Sequence, residues 1–97
     1  MELDKATKAG VRRLMADSRA RSEVPRRYFG SNAYNFVGSW VKKADAQGAA
    51  KWIRKGGGLA RVVEIDQSPR YGRHRGQGAK WYEVWARPPR NSSFTMR

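Results

Sequence analysis

Residues 44–65, ADAQGAAKWIRKGGGLARVVEI, decide how the rest of the chain is read. Ala46, Ala49, Ala50 and Ile53 recur at helical spacing, while Gln47, Lys51 and Arg54 project from the other side. One face of this segment can pack and the other is left to touch something. Gly56, Gly57 and Gly58 can take the positive-φ conformations that stop a helix, and the run Leu59 to Ile65 then predicts a strand.

Upstream, Ala33, Phe36, Val37, Trp40, Val41 and Ala44 form an apolar stripe that predicts a helix from Ser31 or Asn32 to about Lys43. Its continuation would fall near Gly48 and Lys51, yet the apolar positions restart at Ala46. The phase therefore slips at Ala44 and Asp45, which predicts a break with Asp45 as the N-cap of a new helix. A single helix over residues 33–55 is the alternative. Before Pro25, residues 4–18 read as an amphipathic helix with Leu3, Val11, Leu14 and Met15 on one side. PRRYFGS, from Pro25 to Ser31, reads as a connector.

Downstream, Leu59 to Ile65 and Lys80 to Ala86 are the clear strand candidates and pair naturally as an antiparallel hairpin. The loop between them, DQSPRYGRHRGQGA, carries Arg70, Arg73 and Arg75 and no acid after Asp66. RPPRNSSFTMR follows, and residues 88–97 read as a flexible basic tail. The expected fold is α+β, a three-helix bundle with a C-terminal antiparallel β-hairpin, in one domain over residues 1–87.

Charge narrows the choice of partner. The 97 residues hold 21 Lys and Arg against 8 Asp and Glu, a formal net charge of +13. Such an excess opposes compaction and calls for a polyanion, most commonly nucleic acid. The apolar residues are spread along the chain rather than gathered in one amphipathic helix, which argues against a membrane-surface peptide. No cysteine is present, no run approaches the ~20 apolar residues of a membrane span, and MELDKATKAG lacks a signal-peptide core. A cytoplasmic protein is expected.

Catalytic and metal chemistry find no support in the pattern. His74 stands alone among arginines with no second His or Cys, so no metal site is expected. KGGG is not a phosphate-cradling loop, because its lysine precedes the glycines. No acid pair or nucleophile constellation is visible, and the chain reads as a non-enzyme that needs no cofactor. Trp40, Trp81 and Trp85 read as core, while Trp52 and the loop residue Tyr71 remain candidates for base stacking.

Three helices followed by a hairpin with a basic tip resemble a winged helix-turn-helix domain. The local likeness lies in Trp52-Ile53-Arg54-Lys55-Gly56 followed by Leu59-Ala60-Arg61-Val62. It is similar to the passage where the recognition helix of bacterial and phage winged-helix regulators hands over to the wing, and it covers residues 31–87. The resemblance implies a small transcriptional or replication regulator that reads duplex DNA, with Gln47, Lys51 and Arg54 nearest base edges in the major groove. Phosphate contacts would come from Arg26, Arg27, Lys42, Lys43, Lys55, Lys80 and the wing residues Arg70, Arg73 and Arg75. RNA binding of a ribosome-associated type, or docking of a phage-type inhibitor or adaptor on an acidic protein surface, are the competing expectations. A homodimer through Leu3, Val11 and Leu14 is possible on the same resemblance.

Overall fold

A computed structural model describes residues 3–65 and 80–89. Its elements are α1 (Lys5–Ala16), α2 (Ser18–Ser22), β1 (Arg26–Phe29), β2 (Asn32–Trp40), α3 (Lys43–Lys55), β3 (Leu59–Ile65) and β4 (Trp81–Arg87). The four strands form one antiparallel sheet in the order β1-β2-β4-β3. The α+β class and the β3–β4 hairpin stand as expected. The three helices do not form a bundle, because α1 and α3 lie against the sheet and strands separate them.

Two segments depart from the sequence reading. Residues 32–40, expected as the second helix, are strand β2, and PRRYFGS holds β1 and the tight turn into β2. That turn is Gly30-Ser31, with Gly30 at φ 65°, the positive value that a two-residue hairpin turn requires. The expected helix-turn-helix across residues 33–55 is thus strand, turn, helix. The break before α3 is present, but it comes earlier than expected: Lys42 is the N-cap and Asp45 sits in the first turn, where its carboxylate favours the helix dipole.

Near the N-terminus, Asp4 caps α1 by accepting a hydrogen bond from the Thr7 amide at 3.1 Å. A hydrogen bond from the Thr7 side chain and, second, this one from its amide hold the Asp4 carboxyl below its usual range. Asp17 ends α1 and caps α2, accepting from the Arg19 amide at 2.9 Å. The two short helices are then tied to each other and to the sheet. Arg21 Nη1 donates to the Leu14 carbonyl at 2.6 Å, and Asn35 Nδ2 on β2 donates to the Arg21 carbonyl at 2.9 Å.

The core lies between the helices and one face of the sheet. Val11, Leu14 and Met15 of α1 meet Ala46, Ala49, Ala50 and Ile53 of α3 and Ala60, Val84 and Ala86 of the strands. All four apolar positions of the α3 stripe are fully buried, and the three alanines let the helix approach the sheet closely. Leu3, Val11 and Leu14, the candidate dimer stripe, are spent in this core.

α3 ends in a Schellman motif. The Gly58 amide donates to the Ile53 carbonyl at 3.1 Å and the Gly57 amide to the Arg54 carbonyl at 3.0 Å, with Gly57 at φ 103°. A Cβ at Gly57 would meet Pro89 only at an ordinary 3.7 Å, so the cost of a side chain there is in the backbone. Gly57→Ala is expected to destabilise by about 1–3 kcal/mol. Gly48→Ala, in the middle of α3 with open space around it, should stabilise by up to about 1 kcal/mol. Thermal midpoints that moved in the same direction for both variants would contradict this account.

Candidate nucleic-acid interface

Because Ala46, Ala49, Ala50 and Ile53 face the sheet, the opposite side of α3 is fixed outward. Gln47, Lys51 and Arg54 occupy it at spacings of four and three, all exposed, with Lys55 beside them and Lys42 and Lys43 exposed at its start. Arg54 also has an internal task, since its Nη2 donates to the Ala60 carbonyl at 2.9 Å and pins the helix end to β3. The three side chains expected to read bases are therefore brought together. Trp52 leans on the core, and Lys8 and Arg12 of α1 approach its ring to 6.0 and 5.8 Å, a cation–π arrangement that occupies the ring within the chain.

The expected phosphate contacts are scattered. Arg26 and Arg27 are adjacent on β1 and so point to opposite faces of the sheet. Lys80 is exposed at the start of β4 and pairs with Glu64 at 3.5 Å. Arg70, Tyr71, Arg73 and Arg75 lie outside the described residues.

The sheet face turned away from the helices holds a group that the sequence reading missed. Strand alternation and the pairings Arg27↔Tyr34, Phe36↔Trp85 and Arg61↔Trp85 place all five of these residues there, together with Phe29 and Glu83. The Phe29 and Tyr34 rings meet edge to face at 5.1 Å, as do Phe36 and Trp85 at 5.3 Å. Arg27 Cζ lies 5.2 Å from the Phe29 ring centre and 5.9 Å from that of Trp85. From the opposite edge of the sheet, Arg61 Cζ reaches to 5.1 Å of the same Phe29 ring. Strands β1 and β3 are separated by two others, so this contact requires the sheet to curl until its edges approach across a concave face.

Glu83 is the floor of that concavity. It is only 1% exposed, its Oε1 accepts a hydrogen bond from Trp85 Nε1 at 3.2 Å, and Arg27 Nη1 lies 3.9 Å away. Its Oε2 makes no hydrogen bond, and neither does the hydroxyl of Ser39, its register partner on β2. A buried carboxylate with one oxygen unsatisfied is costly, and the guanidinium beside it is the compensation the fold provides. Alternation in LARVVEI and WYEVWAR could have put Arg61 and Glu83 on the Trp85 side. No signal in the sequence announces that β1 would bring Phe29 and Arg27 over them.

Among the described residues no group of His, Asp or Glu could hold a metal ion, and no helix is long and apolar enough to cross a membrane. No family model matches the chain, and no curated protein or solved structure matches it either.

Proposed function

We propose that the protein binds nucleic acid and that the outward side of α3 is its contact with duplex DNA. The observation that carries this is the orientation of α3. Its four apolar residues are locked into the sheet, so Gln47, Lys51 and Arg54 form one exposed row beside Lys43 and Lys55. A helix presented this way can enter a major groove, where arginine and lysine pair with guanine and glutamine with adenine. The winged-helix reading enters here as the α3–β3–β4 unit, a helix handed over through glycines to a hairpin. In this chain a sheet supports the helix where the resemblance implies a preceding helix. A regulator of transcription or replication is the role that this geometry would serve.

Binding isotherms on duplex DNA across a salt series test the proposal. Each phosphate neutralised contributes a slope of about −0.9 in log affinity against log salt. Lys51→Ala and Arg54→Ala should each weaken duplex binding and narrow the gap between preferred and random sequences. Salt-insensitive binding, or full affinity in both variants, would sink the proposal.

RNA or another strand with unpaired bases is the second reading, and the concave face favours it. Aromatic rings interleaved with arginines suit single strands better than a duplex.

A further inference from the structure

We propose that the seam formed by Arg27, Phe29 and Arg61 clamps the sugar–phosphate backbone of a single nucleic-acid strand, on the side of the sheet opposite α3. The two guanidinium groups come from opposite edge strands and approach one ring, with their Cζ atoms 5.2 and 5.1 Å from its centre. They therefore lie within about 10 Å of each other. Two like charges held that close repel, and Phe29 offsets this only through the negative potential of its ring faces.

The charge balance at the seam is incomplete. Among the described residues Glu83 is the one carboxylate on this face near Arg27, at 3.9 Å, and it is buried beneath the guanidinium rather than facing outward. Arg61 is exposed on β3, and its neighbour Glu64 lies at a position of opposite parity and pairs with Lys80. Together the seam presents more positive charge than the fold neutralises, in a fork geometry suited to phosphate oxygens. Glu83 acts as a positioning residue, since its ion pair orients Arg27 while Phe29 orients both arginines.

The shape of the seam selects the partner. It stands where the sheet edges approach, above the buried Glu83 and Trp85, and so offers a narrow charged line to one strand rather than a broad face to a duplex. Positive charge that tracks the backbone is a general solution for holding a single strand without reading its bases. Phe29 is half-buried, and its ring is engaged by Arg27, Arg61 and the edge of Tyr34, so here it holds the guanidinium groups in place and does not stack a base. The site is distinct from the α3 row, which faces the other way, so each can fail without the other.

The experiment measures anisotropy of a labelled oligothymidine of about 12 nucleotides, within the usual site sizes, and of a duplex of equal length, on the full chain. Arg61→Ala should weaken the single strand by roughly tenfold or more, the loss expected for charge-assisted hydrogen bonds. Its salt slope should become shallower by about 0.7, with the duplex affinity unchanged. Lys51→Ala should show the reverse pattern. Tyr28→Ala is the control, because Tyr28 is exposed on the same strand but points to the other face; it should leave single-strand affinity intact. Three results overturn the clamp: no single-strand binding by the wild type at low salt, unchanged single-strand affinity in Arg61→Ala, or equal losses on both probes. A Tyr28→Ala loss as large as that of Arg61→Ala also overturns it. Matching thermal midpoints for Arg61→Ala and wild type show that the fold is retained.

Discussion

Trp85→Ala is expected to cost about 3–5 kcal/mol of folding stability, the range for deleting a fully buried aromatic. Trp85 is 1% exposed although it faces away from the main core, so the concave side of the sheet is itself packed. The substitution removes the partner of the Phe36 ring, one of two rings beside the Arg27 guanidinium, and the indole N–H that satisfies Glu83 Oε1. Both oxygens of a buried carboxylate would then lack a hydrogen bond, which adds to the cavity cost. A domain of this size has only about 5–15 kcal/mol to lose. Chemical denaturation should therefore show a midpoint lowered by about a fifth or more. A loss under about 1 kcal/mol would mean that the concave face is solvated and contributes little.

Ile53→Ala is expected to cost about 2–5 kcal/mol, for a reason located on the opposite face. Ile53 is fully buried, touches the space beside Gly58 and ends the α3 stripe against Met15 and the strands. A Cβ built on Gly58 would come within 2.9 Å of Ile53 Cγ2, which shows how little free space surrounds this side chain. Alanines fill the neighbouring α3 positions and cannot extend into the cavity, which limits how far the site can collapse. Denaturation midpoints again read the loss. Because Ile53 and Trp85 lie on opposite sides of the sheet without shared partners, the double variant should lose nearly the sum of the two.

Where the sequence speaks clearly, one face of an element is buried and the other is wet. α3 is legible for that reason: its alanines and Ile53 lie inside, its cations outside, and glycines mark its end. The β3–β4 hairpin is legible from its β-branched and aromatic content. β2 is not, because both of its faces are covered. Tyr34 and Phe36 belong to the concave side, while Val37 and Trp40 pack towards the helices, so the alternation that betrays a strand is erased. A bulge between Phe36 and Gly38 then shifts the phase by one residue. The surviving spacing of Ala33, Phe36, Val37 and Trp40 imitates a helix. The site follows the same rule. The α3 row could be read from local periodicity, whereas the Arg27–Phe29–Arg61 seam depends on strands far apart in sequence meeting through sheet curl.

The two outermost strands, β1 and β3, have a bearing on solubility. Among the described residues each has one side without a strand neighbour, which is the template on which sheets from different molecules anneal. Arg26 and Arg27 on the first and Arg61 on the second put charge where an incoming strand would dock. In the free protein, mutual repulsion between molecules at +13 keeps these edges apart. If a polyanion binds as proposed, neutralising the arginines would also remove that repulsion, so edge-to-edge assembly would be more favourable in the complex than in the free chain.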